Sequence, residues 1–124
     1  MRGTVTKSIL LVEDSAMVAS AFRMLLESKG YDVEVAASAA SAVGTKAVKP
    51  HDLMLLDITL PDADGLSVID GLALRGLRPV AVFALTGHAD PATRLRCIAA
   101  GCDEVLIKPV PLQVLLDLVA TRLT

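Results

Sequence analysis

The chain predicts a doubly wound α/β fold on a five-stranded parallel sheet, and three observations carry that expectation. Strand and helix patterns alternate five times along 124 residues, with no linker, repeat or low-complexity tract between them. The strand candidates are aliphatic runs, as strands covered by helices on both faces require: Ile9-Leu10-Leu11-Val12, Leu53-Met54-Leu55-Leu56, Val80 to Leu85, and Val105-Leu106-Ile107. Each run ends in chemically capable residues, namely Glu13-Asp14, Asp57, Thr86-Gly87 and Lys108-Pro109. The C-terminal ends of parallel strands form one edge of the sheet, and ligands bind there. Right-handed crossovers leave only a few strand orders to consider.

The elements follow in order. The first strand is expected over 8–12, and a helix over 15–29 with Ser15 as N-cap, apolar positions Val18, Phe22, Leu25 and Leu26, and Gly30 closing it. The second strand, 32–35, alternates polar and apolar residues, which marks a half-exposed strand at a sheet edge. An alanine-rich helix over 38–46 and a loop containing Pro50 lead to the third strand, 53–56. His51 is expected to be an exposed loop residue. The turn-rich stretch 57–65 precedes a third helix, 66–74, whose inward face would be Leu66, Ile69, Leu72 and Ala73. After the fourth strand, 80–85, Asp90 caps and Pro91 opens a helix that stops before Gly101. The fifth strand is 104–107. The last helix starts at Pro111 and buries Leu112, Leu115, Leu116, Val119 and Leu123.

Composition narrows the function. Hydrophobic residues make up 53% of the chain but aromatic ones only 2%, so the core is aliphatic. A net charge of −2 gives no field for a polyanion, which argues against direct nucleic-acid binding. No apolar stretch has membrane-spanning length, and the polar start of the chain does not read as a signal peptide, so the expected location is the cytoplasm. The whole chain is read as one domain, 1–124. Cys97 and Cys102 match neither a redox pair nor a zinc knuckle and are expected as free thiols, one on a helix and one in a loop.

The strand ends suggest a specific chemistry. Glu13, Asp14 and Asp57 would repel one another, and a divalent cation removes the conflict. Mg²⁺ suits oxygen ligands and bridges one or two carboxylates to a phosphoryl oxygen. The Thr86 hydroxyl is placed to donate to such an oxygen, beside Gly87, and the Lys108 ammonium to bind it as a point charge. His88, two residues after Thr86, reads equally as a group overhanging the same end and as a solvated loop residue. No glycine-rich nucleotide fingerprint occurs.

These residues resemble the receiver domain of bacterial two-component response regulators, the CheY-like proteins, across nearly the whole chain. The resemblance rests on four marks in order: Glu13-Asp14; Asp57 with Pro61 and Asp64-Gly65; Ala84-Leu85-Thr86-Gly87; and Lys108-Pro109. It implies a flavodoxin-like fold with strand order 2-1-3-4-5 and a cis bond between Lys108 and Pro109. It implies Asp57 as phosphoacceptor, with Thr86 and Lys108 binding the phosphoryl group. It implies Mg²⁺, or Mn²⁺ in its place, held by Glu13, Asp14, Asp57 and the backbone carbonyl of Thr59. The implied donor is a phosphohistidine on a histidine kinase or phosphotransfer protein. The implied output is a switched surface over the fourth helix, fifth strand and fifth helix, which is also the family's usual homodimer face. Thr59 and His88 stand where the family tunes loss of the phosphoryl group to water. Val105 is a departure, because the family commonly places there an aromatic that swings inward with the threonine.

Such a chain is not an enzyme beyond its own phosphorylation and slow dephosphorylation. The alternatives are a receiver within a hybrid kinase or transcription factor, or an aspartyl-phosphate phosphatase. Glu13-Asp14-Ser15 replaces the D-x-D such phosphatases carry after the first strand, which disfavours the last of these. A flavin-binding relative would need a hydroxyl-rich phosphate loop and aromatic stacking residues that one Tyr, two Phe and no Trp do not supply.

Overall fold

A computed structural model describes residues 6–124; the reading of the extreme N-terminus as no signal peptide falls largely on 1–5, outside the described residues. The elements are β1 (Ser8–Val12), α1 (Ala16–Ser28), β2 (Asp32–Ala36), α2 (Ala39–Val43), β3 (Leu53–Asp57), α3 (Ser67–Leu74), β4 (Ala81–Thr86), α4 (Pro91–Ala99), β5 (Glu104–Ile107) and α5 (Leu112–Leu123). All strand pairs are parallel, and the sheet order is β2-β1-β3-β4-β5. This is the expected doubly wound sheet, with β2 at one edge as its alternation indicated.

Alternation of side chains divides each central strand between two cores. Ile9, Leu11, Leu53, Leu55, Phe83 and Leu85 pack with Phe22 and Leu26 of α1 and Leu115 and Val119 of α5. Leu10, Val12, Met54, Leu56 and Val82 pack on the other face with α2 and α3. Both faces of β1, β3 and β4 are therefore dry, so their C-terminal residues are delivered from rigid supports. The caps behave as expected: Ser15 Oγ accepts from the Val18 N–H, Asp90 caps α4 above Pro91, and Gly30 takes a positive φ of 92° after α1.

Several local expectations are corrected. The α2 helix stops at Val43, short of Lys46, because Arg75 Nη1 donates to the carbonyls of Val43 and Thr45 and the Thr45 hydroxyl turns to Glu34. Those partners draw the chain off the helical path. In α3 the buried residues are Val68, Ile69 and Leu72, while Ala73 is exposed. The side facing α2 is fixed at Gly71, where a Cβ would lie 2.7 Å from Val43 Cγ2. Val80 is exposed and outside β4, although its N–H bonds the His51 carbonyl. Val18 of α1 and Leu112 of α5 also face outward more than expected. β5 is only partly buried, because no strand pairs with its outer side.

His51 is the clearest miss. It is buried, and its Nε2 lies 3.1 Å from Glu34 Oε1, which also accepts from the Thr45 hydroxyl at 2.8 Å. Glu34, half-exposed as the alternation of β2 indicated, is thus the centre of a hydrogen-bonded plug at that sheet edge.

Candidate functional site

The C-terminal ends of β1 and β3 lie side by side, with Val12 opposite Leu56, so the residues that follow must share one pocket. Glu13 and Asp57 are 2% and 3% exposed, whereas Asp14 is exposed at the rim. Carboxylate oxygens of Glu13, Asp14 and Asp57 all lie within 4.8 Å of one another. Unshielded carboxylates at such spacing repel strongly, and oxygen-only donors of this kind fit a hard divalent cation.

The protein supplies part of the compensation itself. Lys108 Nζ donates to Asp57 Oδ2 at 2.7 Å and to Glu13 Oε1 at 3.3 Å. Partial burial alone would lower the pKa of Lys108, but the hydrogen bond and charge of Asp57, then those of Glu13, outweigh it and hold the ammonium above its ordinary value. The remaining carboxylate oxygens face backbone donors: Ser15 N–H reaches Glu13 Oε2 at 3.0 Å, and Thr59 N–H reaches Asp57 Oδ1 at 2.9 Å. Asp57 is thereby oriented from both sides.

Local backbone fixes the frame. The Gly65 N–H donates to the Ile58 carbonyl, and an added Cβ at Gly65 would stand 2.3 Å from the Asp57 carbonyl oxygen and 2.5 Å from Ile58 Cα. Only glycine lets the 57–65 loop fold back so tightly. That loop is closed by a bridge between Thr59 and Asp64. The Lys108 N–H donates to the Thr86 carbonyl at 2.7 Å, which ties the lysine to the end of β4, and the Lys108-Pro109 bond is cis.

The structure thus brings Glu13, Asp14, Asp57 and Lys108 together. Thr86 is fully buried at the adjoining strand end, and its hydroxyl accepts from the His88 N–H at 3.0 Å rather than meeting the acids. His88 is exposed and lines, with Thr59, Thr93 and Arg96, an open cleft between the 57–65 loop and α4. Arg96, missed in the sequence, pairs with Asp64 across this cleft. Nothing in the local pattern of α4 distinguished it from any solvated arginine. Cys97 is buried in α4 and Cys102 lies in the following loop; both are free thiols, and burial pushes Cys102 up to about 12.

The family model for the response regulator receiver domain matches residues 9–120. Among curated relatives, the transcriptional regulatory protein KdpE of Mycobacterium tuberculosis is 33% identical over 101 residues, which is 82% of this chain and 44% of that protein. The polar-differentiation response regulator DivK of Brucella ovis is 34% identical over 106 residues, covering 85% of this chain and 86% of DivK. The chain therefore spans less than half the length of KdpE. Among solved structures, a CheY-like receiver domain protein from Methanospirillum hungatei is 30% identical with a TM-score of 0.84, covering 96% of this chain and 94% of that one.

Proposed function

The chain belongs to the response-regulator receiver family, and from that premise we propose that Asp57 accepts a phosphoryl group from a phosphohistidine on a histidine kinase or phosphotransfer protein. The observation that carries the reading is the buried Asp57 carboxylate, held by Lys108 and Thr59 N–H within reach of Glu13 and Asp14. An Asp57 oxygen attacks phosphorus, the bond from phosphorus to the donor's imidazole nitrogen breaks with its electron pair, and an acyl phosphate results. Little covalent chemistry is asked of the protein, so positioning and charge carry most of the rate. Lys108 orients the attacking carboxylate, and afterwards binds a phosphoryl oxygen. The Thr86 oxygen already accepts from His88 N–H, so its own proton remains to donate to the phosphoryl group. Mg²⁺, or Mn²⁺, held by Glu13, Asp14, Asp57 and the Thr59 carbonyl, would supply charge neutralisation at the transferring group.

The output in this reading is a shift between two arrangements of α4, β5 and α5. Leu95, Ile98, Ile107 and Val114 leave apolar surface on these elements, which suits a partner or a second copy. The chain serves as a cytoplasmic regulator of the DivK kind, or as the receiver of a longer protein of the KdpE kind. It does not bind DNA itself. Among the described residues no helix is long and apolar enough to cross a membrane.

The test is to incubate the protein with Mg²⁺ and acetyl phosphate and weigh it. One alkali-labile phosphoryl group is expected on the wild type and none on Asp57→Asn. A phosphoryl group that persists in Asp57→Asn, or that maps to another residue, would overturn the assignment.

A further inference from the structure

The resting position of α4 depends on very few contacts. Of its nine residues only Cys97 is buried, packed in a small cluster with Ile58 and Ala84 and flanked by Leu66, Cys102 and Val105. Its one ion pair to another element, among the described residues, is Arg96 to Asp64. Asp64 is not an arbitrary anchor. Its Oδ1 accepts from the Leu66 N–H at the start of α3, and it is bridged to Thr59. The Thr59 N–H in turn donates to Asp57 Oδ1. A continuous path therefore runs from the Asp57 carboxylate through Thr59 and Asp64 to Arg96 on α4, and it touches neither Thr86 nor Val105.

We propose that the Asp64–Arg96 ion pair holds α4 in its resting arrangement and couples that arrangement to the state of Asp57. This rests on the phosphoacceptor reading above and names a regulatory contact for it. A substituent on Asp57 disturbs the hydrogen bond from the Thr59 N–H, shifts the Thr59–Asp64 bridge, and weakens the hold on Arg96. With valine at position 105, which cannot reproduce the inward swing of an aromatic, this second route carries the signal to α4. Half-exposed pairs are individually weak, but α4 has one other firm anchor, so a weak pair decides its population.

The experiment is a double-mutant cycle on the full chain with Arg96→Gln, Asp64→Asn and the double variant. Asparagine at 64 keeps an oxygen for the Leu66 N–H, so an effect shared by both single variants reports the ion pair and not the cap. The first readout is amide hydrogen exchange in α4 without metal or phosphodonor. The second is the affinity for beryllium fluoride with Mg²⁺, a mimic of the phosphoryl group. Each single variant should speed α4 exchange and tighten beryllium fluoride binding by roughly 1.5- to 5-fold, and the double variant should go no further than either single. Additive effects, or exchange and affinity unchanged in Arg96→Gln, would overturn the coupling. Failure of the wild type to bind beryllium fluoride would instead overturn the phosphoacceptor reading, and the coupling would fall with it.

Discussion

The two edges of the sheet are closed by different means. At the β2 edge, Glu34 accepts from the buried Thr45 hydroxyl and meets the buried His51 ring, and Asp52 accepts from the Ser8 N–H at 2.8 Å to tie β3 to β1. Directional bonds from the buried Thr45 and His51 to the half-exposed Glu34 favour a single arrangement of that edge. At the β5 edge the strand is half-exposed, α4 buries a single side chain, and Leu95, Ile98, Ile107 and Val114 face outward. Apolar contacts without directional partners permit more than one packing. The acids sit between the two, at the ends of β1 and β3, so an event at Asp57 meets a fixed wall on one side and a movable one on the other.

The sharpest way to break this contrast is at the fixed edge. Replacing His51 by alanine empties a buried volume and strips Glu34 of a partner. It should cost on the order of 2–3 kcal/mol of folding stability, read as a lower urea midpoint with unchanged slope. A loss below about 0.5 kcal/mol would mean that the polar plug does not hold the β2 edge.

The movable edge should respond less. Cys97→Ser places a hydroxyl among Ile58, Ala84 and Val105 and should cost about 1–2 kcal/mol, because a more polar group is buried in a small, mostly apolar cluster. Protection against hydrogen exchange should drop first in α4, before the central strands. Equal loss throughout the sheet would show α4 to be part of the rigid body. Ile98→Glu, on the exposed side of the same helix, should alter stability by less than about 0.5 kcal/mol. Where that face takes a second copy, sedimentation of the phosphorylated variant should at the same time show weaker self-association than wild type.

The same contrast accounts for what the sequence made legible. The central strands announce themselves because burial on both faces requires aliphatic runs, and the polar residues that end them could hardly be placed elsewhere once the strands are parallel. Asp57, Glu13, Asp14 and Lys108 were therefore readable together. His51 was not, since its partners Glu34 and Thr45 lie on separate elements, and only the folded chain brings them to it. The stop of α2 at Val43 is set by Arg75, thirty-two positions away, and no local signal reports it. Arg96 was hidden for the same reason. Short-range pattern identifies what packs against its own strand, and it is silent about pairs formed across loops.

The smallest effect belongs to Asp62, where the site loop meets α2. Its Oδ1 and Oδ2 accept from the N–H groups of Ala39 and Ala40 at 2.9 and 3.0 Å, and those bonds hold its carboxyl below the ordinary 3.8. A depressed folded-state pKa means that the unfolded chain binds its proton first as pH falls. The stabilisation is therefore complete above the ordinary carboxylate value and is lost as pH drops through that value to the lowered one. Asp62→Asn keeps an acceptor oxygen but loses the charge, so its melting temperature should lie slightly below wild type near neutral pH. The gap should close as the pH falls through 3.8 toward the lowered value. A gap that stayed constant across that range would assign the effect to altered hydrogen-bond geometry and leave the carboxylate charge with no part in pinning α2 to the site loop.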